Sequence, residues 1–176
     1  MSILKVNQIQ TANGVIMANL NSSGANIGFQ LASSLAPAFS AYITGTQTAS
    51  ADAATKMALN GERFDTNGNY DNATNYRFTP TVAGYYLVSA SCYFSNYSGG
   101  GFVNISIYKN GSNYQELQRL YPSTNPSTIG GACLVYLNGS TDYVECYWYS
   151  ASGTSVLVSN NGAPLSHFDA SFVRSA

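Results

Sequence analysis

Residues Tyr70–Tyr86 read YDNATNYRFTPTVAGYY. Asp71, Asn72 and Asn75 are turn formers, because their side chains can bond their own backbone and tolerate left-handed conformations. Arg77-Phe78-Thr79 is a short extended piece, expected at a sheet edge because Pro80 cannot donate to a ladder. Val82-Ala83-Gly84 is a tight entry in which Gly84 is free to take positive φ. From Tyr85 the chain alternates. Tyr86, Val88, Ala90, Cys92 and Phe94 share one face, and Tyr85, Leu87, Ser89, Ser91 and Tyr93 the other. That period of two, with aromatic and β-branched residues, predicts a long, half-buried strand.

The same pattern recurs outward from this stretch. Strands are predicted at Phe39–Thr44, Lys56–Leu59, Phe102–Tyr108, Tyr114–Tyr121, Ala132–Leu137, Tyr143–Tyr149, Val156–Val158 and His167–Arg174, with a loop over Thr46–Ala54. Six Asn-Gly pairs punctuate the chain, and Asn110-Gly111 is the strongest hairpin signal among them. About ten short strands with no helical period predict an all-β antiparallel sandwich, with a jelly roll the fitting size class.

Residues 1–36 differ. Leu4, Val6, Ile9, Val15 and Ile16 are short apolar groups with no core of their own, so this arm is expected to gain order by docking onto a partner. The main domain then spans residues 37–176.

Composition narrows function. Charged residues are 9% of the 176, against about a quarter in ordinary domains, and the net charge is −1. Neither nucleic acid nor an anionic membrane finds an electrostatic footprint here. No run is long enough to span a bilayer as a helix, and Met1–Leu20 has no apolar core of a secretory leader. Cys92, Cys133 and Cys146 sit in alternating apolar runs and are expected to be free, buried thiols.

Catalysis needs a positioned base or a metal. The single histidine, His167, stands beside Phe168 on the last predicted strand and is expected to be structural. Asp65 and Asp71 could share a loop, but turn residues explain them more simply than Ca²⁺ ligands. No zinc spacing, phosphate loop or nucleophile elbow is present. The reading is therefore of a protein that is not an enzyme and has no cofactor.

Two packed sheets leave outer faces. Tyr85, Leu87, Tyr93, Tyr143, Tyr147 and Tyr149 are expected on them, and so much apolar surface predicts an oligomer interface. Tyr97, Tyr114 and Tyr121, in or beside Asn- and Ser-containing segments, are candidates for stacking on a sugar, since Tyr offers a flat apolar face and a polar tip.

The order of features resembles the C1q and tumour-necrosis-factor-like jelly roll. The carriers are Ala38-Phe39-Ser40-Ala41, Tyr70-Asp71, Phe78 followed after five residues by Gly84-Tyr85-Tyr86, Tyr108-Lys109-Asn110, and loosely Phe168-Asp169-Ala170. Val88 and Ala90 stand where that family usually alternates aromatics. Tyr108-Lys109-Asn110-Gly111-Ser112, Asn138-Gly139-Ser140-Thr141-Asp142 and the opening Ile3–Gln10 resemble the subgroup found in bacteriophage particles. The resemblance implies a homotrimer with the Tyr85 strand facing the threefold axis. It also implies a virion structural protein, assembled in the host cytoplasm. The arm would dock it to a major capsid or tail/portal-region protein, as capsid decoration or a short head or collar fibre. The alternative is a tail-fibre tip that binds host-surface carbohydrate. A signalling ligand of the tumour-necrosis-factor type is a third reading.

Overall fold

The structure is a computed structural model and describes residues 8–10, 16–19, 36–94, 101–123, 126–151, 156–159 and 164–176. The chain divides into two compact units, Met1–Ala36 and Pro37–Ala176. In the first, β1 (Gln8–Gln10) pairs antiparallel with β2 (Ile16–Asn19).

The second unit is all β among its described residues. Its strands are β3 (Ala38–Tyr42), β4 (Thr46–Ala49), β5 (Thr55–Lys56), β6 (Gly61–Asp65), β7 (Tyr70–Asp71), β8 (Arg77–Phe78), β9 (Gly84–Phe94), β10 (Val103–Lys109), β11 (Ser112–Leu120), β12 (Ser127–Leu137), β13 (Val144–Ser150), β14 (Val156–Ser159) and β15 (His167–Arg174). They form two sheets. One runs β7-β8-β13-β10-β11, with β5 also on β13. In the other, β9 lies between β15 and β12, β15 leads on to β3 and β6, and β14 joins β9 at Phe94 and carries β4. The chain crosses repeatedly from one sheet to the other, as at β8–β9–β10 and β11–β12–β13, which is the jelly-roll path.

Parity is as the alternation predicts. Tyr86, Val88, Ala90, Cys92 and Phe94 are buried, facing Val103, Ile105 and Ile107 of β10 and Val144, Cys146 and Trp148 of β13 in one core. Aromatic rings seam the two layers. Phe39 of β3 stacks on Tyr70 at 4.5 Å and on Phe78 at 4.7 Å, and Phe168 meets it edge-on at 5.0 Å. Phe78 meets Tyr86 at 5.6 Å. Both phenols end on backbone carbonyls, Tyr70 donating to Leu59 O (2.9 Å) and Tyr86 to Val82 O (2.6 Å). Burial pushes the Tyr86 phenol up to about 12.

Turn chemistry fixes the corners. Asn110 (φ 53°) and Gly111 (φ 78°) are both left-handed, and Lys109 pairs with Ser112 around them, giving a two-residue hairpin. Asp71 closes the turn after β7. Its Oδ1 accepts the amides of Ala73 (3.0 Å) and Thr74 (2.9 Å), and its Oδ2 accepts that of Asn75 (3.1 Å). The amides of Thr74, Ala73 and Asn75 hold this carboxyl at about 2. Asp65 likewise accepts the Asn67 and Tyr70 amides of its own loop.

Several expectations change. Arg77–Phe78 is not an edge: β8 lies between β7 and β13, and its two residues simply end where Pro80 removes a donor. Gly84 does not take positive φ. It is glycine for space, since a Cβ there would come within 2.5 Å of both Arg174 O and the Phe172 ring. Thr46–Ala49 is strand β4, not loop, because its backbone pairs with β14 whatever its polar side chains. β12 begins at Ser127 rather than Ala132. Gly130 and Gly131 interrupt the alternation yet stay in register with Ser91 and Ala90, and a Cβ at Gly130 would sit 2.8 Å from Ala90 O. The expected Lys56–Leu59 strand shortens to Thr55–Lys56. Cys133 is only half-buried, while Cys92 and Cys146 are buried; all three are free.

Gly84→Ala is expected to lower stability by about 2 kcal/mol, an overpacking cost, measured by urea unfolding. Asp71 is also expected to carry an acid-sensitive share of stability. Its folded value is depressed, so its contribution is complete above the ordinary aspartate value of about 3.9 and is lost as pH falls toward about 2. Unfolding free energies of Asp71→Asn are expected to fall less steeply than wild type between those two pH values.

Candidate functional site

The two sheets differ in what covers their outer faces. On the β9 sheet the outward residues form cross-strand rows. Tyr85 lies opposite Tyr136, Leu87 opposite Leu134 and Ser171, and Phe64 opposite Ser40. Leu134 is 57% exposed, Phe64 50%, Leu87 45%, Tyr136 39% and Tyr85 38%. Only the rim is capped, with Arg174 5.5 Å from the Tyr85 ring and Lys109 5.7 Å from Tyr136.

A polar stripe crosses this face. His167 Nδ1 lies 2.7 Å from Asp169 Oδ2, and Arg63 Nη1 donates to Ser40 Oγ at 3.0 Å. Burial works to raise Asp169, but bonds from His167 and Ser40 and the charges of His167 and Arg63 outweigh it and hold the carboxyl below its ordinary value. Ser91 stands directly across from His167, yet its hydroxyl donates to Leu165 O at 2.5 Å. The pair therefore lacks the nucleophile–base hydrogen bond of a hydrolytic triad. Among the described residues no group of three acidic, His or Cys side chains could hold a metal.

The outer face of the β13 sheet is covered from within the chain. Arg77 caps the Tyr143 ring at 4.4 Å, and Tyr108 stacks on Tyr147 at 4.0 Å. Phe102 packs on Tyr149 at 5.6 Å and on Tyr121 at 5.8 Å, with Arg119 over Phe102 at 4.1 Å. Glu145 points the same way as these tyrosines but is 3% exposed, paired with Lys56, whose Nζ also donates to Asn75 O at 3.2 Å.

The six residues expected at one interface are thus not on one face. Tyr85 and Leu87 lie on the β9 sheet, and Tyr93 shares their parity but is buried. Tyr143, Tyr147 and Tyr149 lie on the opposite sheet. Phe64, Leu134 and Tyr136 were missing from the expected set. The alternation of Leu134 and Tyr136 with Val135 and Leu137 carried the signal for two of them. Of the sugar-contact candidates, Tyr97 lies outside the described residues. Tyr114 is half-exposed, donating to Leu134 O at 3.1 Å, and Tyr121 is exposed. These two are seven residues apart along an extended strand, roughly 23 Å, so they do not form one site. Of the docking candidates, Leu4, Val6 and Val15 lie outside the described residues, while Ile9 pairs with Ala18 and Ile16 with Gln10 in the β1–β2 ladder.

This architecture is that of the C1q/TNF jelly-roll domains. Eiger TNF from S. frugiperda superposes with a TM-score of 0.55 at 12% identity, covering 81% of this chain and 94% of that one. Murine APRIL gives 0.56 at 12%, covering 78% and 99%. The globular domain of zebrafish complement 1qA gives 0.55 at 14%, covering 80% and 99%. No protein-family model matches the sequence. By sequence the chain is similar to the phage-like element PBSX protein XkdV of Bacillus subtilis (strain 168), 35% identical over 106 residues. The match covers 54% of this chain and 15% of that protein.

Removing the cation over Glu145 leaves a carboxylate with little access to water. Lys56→Met is expected to cost about 2 kcal/mol, below the full buried-pair figure because the lysine is partly exposed. The double variant Lys56→Met/Glu145→Gln is expected to regain most of it, read by urea unfolding.

Proposed function

We propose that the protein is a non-enzymatic structural component of a bacteriophage particle, a homotrimeric knob that residues 1–36 attach to another virion protein. The observation that carries the trimer is the contrast between the two outer faces. Tyr108, Tyr143, Tyr147 and Tyr149 in the middle of the β13 side have in-chain partners, with Tyr114 and Tyr121 exposed toward β11, whereas Phe64, Leu87 and Leu134 stand open on the β9 side. Burying these three with Tyr85 and Tyr136 contributes about 5 kcal/mol per subunit at the usual area coefficient. A ring of three through this face matches the arrangement that the C1q/TNF resemblance implies, and such rings close through heterologous contacts. The phage setting draws its support from the likeness to the PBSX protein. Attachment through the arm draws its support from the arm's apolar groups and separate compactness.

Sedimentation velocity of the full chain at micromolar concentration is expected to give three times the 18.7 kDa chain mass. Leu87→Glu/Leu134→Glu is expected to sediment as a folded monomer. A monomeric wild type would sink the trimer. Gold-labelled antibody on phage particles is expected to decorate the head or collar; label at the tail tip would favour receptor binding, and absence of label would remove the virion assignment.

A further inference from the structure

Of the six Asn-Gly pairs, those at Asn60, Asn67, Asn110 and Asn138 lie among the described residues. Asparagine is chemically labile, and most so before glycine, whose amide nitrogen has no side chain beside it to hinder attack on the asparagine Cγ. Three of the four pairs are restrained. Asn110 accepts the Tyr143 amide at Oδ1 (2.9 Å) and donates from Nδ2 to Asp142 Oδ1 (2.8 Å). Asn138 Oδ1 accepts the amides of Ser140, Thr141 and Asp142, and its Nδ2 donates to Thr141 Oγ1 at 2.8 Å. Asn60 Oδ1 accepts both the amide and the hydroxyl of Thr44 at 3.0 Å, and Gly61 is buried at the start of β6, opposite Tyr42.

We infer that Asn67-Gly68 is a site of spontaneous modification, at which Asn67 turns into aspartate and isoaspartate without an enzyme. Both reacting groups are free. Neither the Gly68 amide nor Asn67 Nδ2 has a hydrogen-bond partner among the described residues. Gly68 is exposed, and beyond its chain neighbours no heavy atom lies within 4 Å of where a Cβ would stand. The contact that Asn67 Oδ1 receives, from the Thr66 hydroxyl at 2.6 Å, falls on the oxygen that gains charge as the ring closes, so it assists the reaction. The Gly68 nitrogen gives its proton to hydroxide and bonds to Asn67 Cγ. The Cγ–Nδ2 bond breaks, and ammonia leaves with a proton from water. Water then opens the cyclic imide at either carbonyl, and no other reagent is consumed. The product carries a new carboxylate two residues from Asp65, and the isoaspartate form adds a methylene to the backbone. This is the loop that sets β7. Asp65 accepts the Asn67 and Tyr70 amides, and Asn69 O accepts the Thr79 amide at 2.8 Å. Tyr70 is the ring that stacks on Phe39, so ageing at Asn67 loosens a corner that joins the two sheets.

The test is peptide mapping by mass spectrometry on the full chain after incubation in mildly alkaline buffer. Each conversion exchanges an amide nitrogen for oxygen and adds about 1 Da. In the folded chain Asn67 is expected to react about tenfold faster than Asn60, Asn110 and Asn138, because each of those must first break the side-chain hydrogen bonds that hold it. In concentrated urea the four are expected to react at similar rates. Chain aged to the isoaspartate form is expected to unfold at a lower urea concentration than fresh chain, and Asn67→Ser incubated for the same time to show no such fall. Comparable rates at the four sites in the folded chain, or the same ranking in urea, would overturn the assignment. A urea midpoint that does not move on ageing, or that falls equally in Asn67→Ser, would overturn its effect on the corner.

Discussion

Phe39 lies almost parallel to Tyr70, 4.5 Å away and tilted by 8°. One ring belongs to β3 and the other to β7, so this stack crosses from one sheet to the other. Phe78 extends it on the β7 side, Phe168 on the β3 side, and Tyr86 of β9 closes onto Phe78. The strands that supply Tyr70 and Phe78 are only two residues long and could not hold a sheet position by ladder bonds alone. They are held because their rings are core. The turn between them is locked by Asp71, whose carboxylate gathers the amides of the following residues. Ring placement and turn geometry therefore support each other at the end of β13 that pairs with β8, while the register of β13 is set along its whole length by β10.

A sandwich built this way has two outer faces and must deal with both. On the β13 side the chain covers its own rings with Arg77, Arg119, Phe102 and Tyr108, and it removes Glu145 from water only by supplying Lys56. These cations come from β8, β11 and β5, short or peripheral strands of the same sheet. The β9 face has no such supply in its middle. Its charged groups lie in a stripe, His167 against Asp169 and Arg63 on Ser40, and its aliphatic groups stand on either side. A protein with 9% charged residues has few cations to distribute, and those on the β9 face, Arg63, Arg174 and Lys109, do not cover Phe64, Leu87 and Leu134.

Much of this was legible in the sequence because β9 alternates without interruption. Its parity assigns the core, and the Asn-Gly pairs mark turns such as Asn110-Gly111. Part of what escaped has a common cause. β4 and the first half of β12 are written in Thr, Gln, Ser and Gly, whose side chains carry no period, so only their pairing partners reveal them. Gly84 was legible as a necessary glycine but not for the right reason, because the approach of Phe172 and Arg174 comes from the far end of the chain. The outer tyrosines were grouped by exposure, which periodicity can indicate. Which sheet each belongs to is a matter of strand order, and no local pattern encodes it.

That sorting of tyrosines has a functional consequence. Had all six faced one surface, association would have buried them together and left a featureless polar exterior. Instead the self-covered sheet keeps its rings after the β9 face is occupied, and on a proposed threefold knob those rings form the outside. Rings braced by stacking and by guanidinium groups lose little freedom when a ligand settles on them, which is the condition for weak but specific contact with a neutral surface.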